Sequence, residues 1–263
     1  MEKTIEFIHG KEEKFTTREI GILKLTKNLI ECFSVLEHLL KNHSLQAILS
    51  MHRTIIDNYS VLYLITEKGT LLEKDIRYKL FLLDAINSKH EVVNKFKKDS
   101  EKDPKKYNLE DNNKAIEKDL RNKRKFNLDL EKFVNNKQLA KNILTQNNWK
   151  FKDILNNGKQ QNKNRYNWID LYQIARIPEH HSFVFQKYYS SFTHGLGLSI
   201  FTREENEILP FIATTYTTTA LIGTITIEML IKHFKINTRK ANLSKNLESS
   251  FVYANKLWPS TNS

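Results

Sequence analysis

Apolar residues recur every three or four positions along much of the chain, which is the spacing of one buried helix face. The pattern is clearest over residues 17–41, 45–66 and 71–96. Ser44 precedes the second stretch and belongs to a residue type that caps helix N-termini, whereas Gly69 ends that stretch. Because only short turns separate the three segments, we predict antiparallel neighbours in a helical bundle.

The later part of the chain predicts two further core helices, over residues 180–201 and 207–235. The second contains residues 208–227, which are 20 positions without a charged side chain. That length matches a membrane span. Pro210, Gly223 and seven threonines interrupt the stretch or lower its hydropathy, so we expect a buried central helix rather than a span.

Glycine and proline are scarce, with 7 and 4 in 263 residues. Since β-rich folds need frequent glycine or proline turns, the sequence predicts an all-α, multi-helix bundle. We interpret residues 1–263 as a single helical domain with a basic helical insertion at 97–165, in which residues 112–135 form a helix with a thin apolar face. Residues 168–176 predict a short amphipathic helix, and residues 243–258 predict a short docking helix or a tail.

The single cysteine, Cys32, excludes an internal disulfide and a cysteine-based zinc site, and it suits a reducing compartment. The first residues have no apolar signal-peptide core, so we expect a cytoplasmic protein. Glycine-rich phosphate loops are absent from the sequence. Neither a cofactor nor a metal site is therefore predicted.

The formal net charge of +12 is concentrated in one part of the chain. Residues 89–165 contain 21 Lys and Arg against 11 Asp and Glu. Such an excess attracts polyanions, with nucleic acid as the usual partner and an anionic membrane as the second. We expect RNA to bind this segment. The alternative is a set of solvated helices rich in lysine and asparagine.

Arg53 and Asp57 lie four residues apart on the predicted second helix, so their side chains share one face. Their neighbours are apolar, and a buried guanidinium needs a carboxylate, a carbonyl or a bound phosphate. One interpretation is a structural ion pair that fixes helix packing. The other is a phosphate-binding Arg53 that Asp57 orients.

Ser190 and His194 repeat this spacing in the segment Tyr188-Tyr-Ser-Ser-Phe-Thr-His194. Imidazole exchanges protons near neutral pH, and Tyr188 adds an aromatic binding surface beside the pair. His194 is therefore interpreted as a general acid or base, with a carboxylate such as Asp57 supplied from another helix. The alternative is a core histidine that is hydrogen-bonded to Ser190.

A third candidate is Arg176-Ile-Pro-Glu-His-His181, in which Arg176 and His181 match the Arg-x4-6-His spacing of the helical HEPN ribonucleases. That resemblance implies an arginine that steadies phosphate and a histidine that moves a proton without a metal. Two departures are Pro178, which falls between the pair, and Ile177, where that family has a polar residue. The adjacent histidines also suggest metal binding, but no other helix repeats the carboxylates that a helical metal site needs.

Three segments together resemble an uncharacterised bacterial family, the domain of unknown function numbered 5677. They are Arg53-x-x-x-Asp57, Trp168-Ile-Asp-Leu-Tyr-Gln-Ile-Ala and Tyr-Tyr-Ser190-Ser-Phe-Thr-His194. The resemblance spans roughly residues 20–235 and implies a helical protein distantly similar to the HEPN-type bundles of toxin and phage-defence systems. This chain has Asp57 where the family commonly has Glu, and Gln186 where a Tyr is expected.

The leading hypothesis is an RNA-acting protein that works as a metal-independent endoribonuclease in a phage-defence or toxin system. Its catalytic residues would be Arg53, Asp57, Ser190 and His194, and its binding residues Arg176, His181 and Tyr188. A non-catalytic helical module that docks a partner or a second copy is the alternative, and a homo-oligomer is expected in either case. A membrane-associated protein comes third.

Overall fold

A computed structural model describes most of the chain. The described residues are 15–41, 45–100, 109–134, 137–146, 148–153, 164–193, 205–237, 250–252 and 256. Within these ranges the secondary structure is helical, and the only strand-like pairing is an isolated β-bridge between Phe151 and Arg165. The predicted all-α, multi-helix fold is confirmed.

The helices follow the predicted periodicity closely over the first half of the chain. In order they are α1 (Thr17–Lys41), α2 (Leu45–Thr66), α3 (Leu71–Ser100), α4 (Leu109–Val134), α5 (Lys137–Gln146), α6 (Trp168–Ile174), α7 (Glu179–Val184), α8 (Ser190–Thr193) and α9 (Glu205–His233). Helix α5 was not predicted, because its ten residues offer little more than one turn of apolar spacing among polar residues. Most of the predicted C-terminal helix at 243–258 lies outside the described residues.

Contacts divide the chain into two compact units. The first consists of Met1–Lys68 and Asn167–Ser263, and helix α2 packs there against α1, α6, α8 and α9. Residues on several sides of α2 are buried, among them Ile48, Leu49, Leu64 and Ile65. Fully burying an aliphatic side chain of this size contributes about 1.5–3 kcal/mol. The central position of α2 also carries its polar residues into the interior.

The second unit is Gly69–Tyr166, in which α3 packs against α4 and α4 against α5. Phe81 on α3 contacts the ring of Trp149, whose Nε1 donates a hydrogen bond to Asp84 at 3.2 Å. These contacts place α3 with the segment that follows it. The second unit therefore begins at residue 69 and contains α3. The sequence predicted instead that residues 71–96 belong to the core bundle and that the insertion begins at residue 97.

The uncharged stretch predicted to be a buried central helix forms α9, which continues through Pro210. Only one face of α9 is buried, including Thr215, Ile222 and Leu230. The opposite face exposes Leu209 and Tyr216. The predicted buried helix is therefore buried along one face, where it packs against α1 and α2. None of the described helices combines the length and the apolar character that crossing a bilayer requires.

Candidate functional site

Arg53 and Asp57 form an ion pair on the inner part of α2. The Arg53 Nε lies 3.1 Å from each carboxylate oxygen of Asp57, and the two side chains are 10% and 31% exposed. A guanidinium this deeply buried would cost several kcal/mol if it were left unpaired. The pair that the i, i+4 spacing predicts is therefore present, and its buried setting distinguishes it from an ordinary surface pair.

The second partner of Arg53 comes from an irregular turn on a distant part of the chain. Between α7 and α8 the helix widens into a π segment, Phe185–Tyr189. Arg53 Nη1 donates to the carbonyl oxygen of Phe185 at 2.7 Å, and Ser191 Oγ donates to that of Tyr188 at 2.6 Å. A π turn disturbs the regular pairing of backbone carbonyls, and such turns are frequent at functional sites. Here side chains bind two carbonyls of the widened turn.

Tyr172 completes the cluster from α6, a short helix whose start is fixed by a capping box between Asn167 and Asp170. The Tyr172 hydroxyl donates to Asp57 Oδ1 at 2.5 Å, and the Arg53 guanidinium lies 5.2 Å from the centre of the Tyr172 ring. Burial, and then the charge of Asp57, raise the pKa of Tyr172. The phenol therefore stays protonated and acts as a donor to Asp57.

Nε and Nη1 of Arg53 have the partners given above, and Nη2 makes no hydrogen bond to the described part of the chain. The contacts of Asp57, Tyr172 and Phe185 hold the guanidinium in one orientation. Such a fixed arginine can bind an oxygen of phosphate or carboxylate with little loss of side-chain entropy.

Ser190 and His194, the other predicted catalytic residues, follow Phe185 in the chain. Ser190 begins α8, and α8 packs against α2, the helix that carries Arg53. The ring of Tyr188 stacks on Phe211 of α9, with the ring centres 4.7 Å apart and the planes at 10°. His194 follows α8 directly and lies outside the described residues.

Comparisons with models of known protein families, with curated proteins and with solved structures gave no significant match. The resemblance to the 5677 family and to HEPN-type bundles therefore stays a prediction.

Arg176 and His181 take part in different surroundings. Arg176 adopts a left-handed backbone conformation with φ of 71° after α6, and its Nη1 lies 3.9 Å from a carboxylate oxygen of Glu228 on α9. His181 instead lines a cleft between Pro178 and Leu221. Leu221 and Glu228 are seven residues apart, or about 10 Å along α9. Arg176 is thus held by a carboxylate next to the core, and it does not join His181 in the cleft.

Two important residues were missed by sequence reasoning, Tyr172 and His52. A signal for Tyr172 existed, because a tyrosine on the inner face of a short amphipathic helix needs a partner for its hydroxyl. His52 is fully buried between α2 and the π segment, with its ring 5.2 Å from Phe185 and 5.4 Å from Tyr189. Neither ring nitrogen has a partner in the described ranges, and burial lowers the pKa of His52 to about 3.

Groups of histidine, cysteine or carboxylate side chains that could hold a metal ion do not occur among the residues the structure describes. The cluster built around Arg53 consists of a cation, a carboxylate and a phenol. This cluster can bind an anion. Proton transfer would require a neighbouring group.

Proposed function

We propose that the protein acts on RNA as a metal-independent endoribonuclease in which Arg53 binds the scissile phosphate. The observation that carries the proposal is the fixed guanidinium of Arg53. It is buried and held on two sides by Asp57 and the Phe185 carbonyl, and Nη2 makes no hydrogen bond to the residues that the structure describes. A preorganised arginine of this kind stabilises the charge that develops on a phosphate during cleavage. The resemblance to HEPN-type bundles is what suggests a toxin or phage-defence system.

In this mechanism the ribose 2′-oxygen attacks the adjacent phosphorus, and the bond from phosphorus to the 5′-oxygen breaks. The 2′-hydroxyl loses a proton and the departing 5′-oxygen gains one, which leaves a 2′,3′-cyclic phosphate and a 5′-hydroxyl. His194 is proposed to carry one of these protons, since imidazole titrates near neutral pH. Asp57 keeps Arg53 in place, and Tyr172 in turn holds Asp57 through its hydroxyl.

A second support comes from the exposed face of α4 in the other compact unit. Between residues 114 and 132, six cationic and two acidic side chains of this helix are exposed. The cations are Lys114, Lys118, Arg121, Arg124, Lys125 and Lys132. The two exposed acids are Glu117 and Glu131, whereas the half-buried Asp119 and Asp129 pair with Lys89 and Lys79 of α3 at 2.6 and 3.8 Å. We refer to the six cations as the α4 basic stripe, which extends over about 27 Å and suits a phosphate backbone.

Cleavage of mixed single-stranded RNA in the presence of EDTA tests this proposal. The wild-type protein should cleave RNA, and Arg53→Met and His194→Ala should each lower the rate at least about 100-fold, because an electrostatic or proton-transfer contribution is lost. Arg18→Met is the matched control, since Arg18 is also buried and donates to a backbone carbonyl, that of Ile65 at 3.3 Å. It should cost stability without removing activity. Equally low cleavage by wild type and His194→Ala would show the ribonuclease proposal to be wrong.

A second candidate function is supported by exposed apolar side chains in the first unit. Leu209 and Tyr216 lie seven residues apart on one face of α9 and are 65% and 68% exposed. Phe183 of α7 is 57% exposed. Large exposed apolar side chains are typical of association surfaces when they lie together. We propose self-association through α9 as the alternative to catalysis, and the two functions are compatible.

A further inference from the structure

A cleft of about 450 Å³ lies between the start of α7 and the middle of α9. Its lining is mainly apolar, with a few polar groups that converge on it. Pro178, His180 and His181 form one wall, and Ala213, Thr217 and Leu221 of α9 belong to the other. Small-molecule sites have this composition, and their volumes usually lie between 300 and 1,000 Å³, so roughly 450 Å³ suits one ring system with a sugar.

His181 is one of the polar residues that line this cleft. Its Nδ1 is buried and has no partner among the described residues. Burial lowers the pKa of His181, and the neighbouring His180 lowers it further. A neutral imidazole has one donor and one acceptor nitrogen. The hydroxyl of Thr217, which belongs to the other wall, can donate or accept. Together these groups match the mixed donor and acceptor edge of a nucleobase.

The cleft is joined to the Arg53 cluster through one residue. The His181 ring is stacked on the ring of Phe185, with the centres 5.7 Å apart and the planes at 22°. The carbonyl oxygen of the same Phe185 accepts the hydrogen bond from Arg53 Nη1. The cleft and the Arg53 cluster therefore share Phe185, whose ring contacts His181 and whose carbonyl binds Arg53. A nucleotide carries a base and a phosphate on one sugar, so it offers one group to the cleft and one to Arg53.

We propose that the cleft between Pro178 and Leu221 binds the base of one unpaired nucleotide, next to the phosphate that Arg53 holds. This inference rests on the proposed action on RNA and adds the form of the substrate. A base that is paired in a duplex presents neither its faces nor its Watson–Crick edge, whereas a single-stranded base can turn into a pocket and contact aromatic or imidazole rings. The substrate is accordingly single-stranded RNA.

Binding of nucleosides to the full-length protein tests the proposal without requiring any cleavage. Adenosine and uridine, which have a base but no phosphate, would be titrated while saturation-transfer NMR and calorimetry measure affinity. Ala213→Phe places a ring in the cleft from an exposed position, and Ala220→Phe makes the same change at an exposed position of α9 outside the lining. We expect Ala213→Phe to lower nucleoside affinity at least about tenfold and Ala220→Phe to leave it unchanged.

The outcomes separate this inference from the proposed function. The cleft proposal is wrong if neither nucleoside binds the wild-type protein. It is also wrong if Ala213→Phe binds the nucleosides as tightly as wild type does. Nucleoside binding that depends on Ala213, without cleavage of RNA, would support the cleft and overturn the ribonuclease. The opposite result is RNA cleavage that Arg53→Met abolishes but whose rate and base preference Ala213→Phe leaves unchanged. That result would support the ribonuclease and overturn the cleft.

Discussion

His52 and Arg53 are neighbours on α2, and both side chains are buried in the first unit. Arg53 cannot lose its charge in a protein, so its burial requires the carboxylate of Asp57 and the Phe185 carbonyl. His52 can lose its charge, and it lies in the core as a neutral ring in contact with Phe185 and Tyr189. Burial is thus tolerated by ion pairing in Arg53 and by deprotonation in His52.

The buried imidazole predicts that the protein loses stability in mild acid. The folded-state pKa of His52 is lowered to about 3 from 6.5, so the unfolded chain binds more protons between these values. The free energy of unfolding should therefore fall as pH drops below 6.5, and the contribution of this residue should be about 2 kcal/mol smaller at pH 5 than at pH 8. Urea titrations followed by circular dichroism at both pH values measure the difference.

His52→Leu removes the titrating group while it retains an apolar side chain of similar size. We expect this variant to lose most of the pH dependence assigned to His52. His38→Gln is the control, since His38 is exposed at the end of α1, and its pH dependence should match that of wild type. A His52→Leu variant with the same acid sensitivity as wild type would contradict the assignment.

Each of three helices begins with a threonine or asparagine whose side-chain oxygen accepts from the backbone N–H of an acid three residues later. The carboxylate of that acid accepts in turn from the backbone N–H of the threonine or asparagine. Thr16 with Glu19 precedes α1, Thr70 with Glu73 precedes α3, and Asn167 with Asp170 precedes α6. Such a capping box satisfies backbone donors at the helix start and contributes about 1 kcal/mol. In α6 it also fixes where Tyr172 lies, because that helix has only seven residues.

The α4 basic stripe predicts a position-specific effect on RNA binding. Replacing Lys118 and Lys125 with glutamine should weaken binding of single-stranded RNA and make the plot of log affinity against log salt shallower by about 1.4, since each lost phosphate contact removes about 0.7. The control replaces Lys24 and Lys27, which are exposed on α1, so that net charge falls equally. Fluorescence anisotropy at several salt concentrations measures both slopes. Identical slopes for the two double variants would show that only total charge matters.

At the scale of the whole molecule, the chain joins two units of different character. The first unit holds the Arg53 cluster, the cleft and the exposed face of α9, whereas the second holds the α4 basic stripe. A net charge of +12 makes self-association of 31.1 kDa chains unfavourable unless an apolar surface offsets the repulsion. Leu209 and Tyr216 are placed to provide such a surface.

We therefore predict that the protein forms a homo-oligomer through α9. Light scattering after size-exclusion chromatography should give a mass of at least twice 31.1 kDa for wild type. Leu209→Lys combined with Tyr216→Lys should shift it to the mass of one chain, because it introduces charge at an apolar contact. Val35→Lys changes an exposed apolar residue of α1 and should have no effect. A wild-type protein with the mass of one chain at all concentrations would rule out this prediction.

Much of the local structure was predictable from the sequence, for reasons that act over short distances. The bounds of α1 and α2 follow from apolar spacing and capping residues, and the pairing of Arg53 with Asp57 follows from i, i+4 geometry. The π segment at Phe185–Tyr189 was not predictable. Its residues read as an ordinary helix, and the widened turn accompanies contacts with residues more than 100 positions away, as in Arg53 with Phe185.

An all-helical chain and the pairing of neighbours on one helix follow from the amino-acid sequence alone, because both depend on side chains a few positions apart. Three contacts depend on how the helices pack: Tyr172 with Asp57, Arg53 with the Phe185 carbonyl, and α3 with α4. Those contacts depend on which apolar faces pack together. Apolar periodicity predicts that a helix face is buried. Many helix faces in an all-α chain are similar in size and hydropathy, so periodicity does not predict which face packs against which.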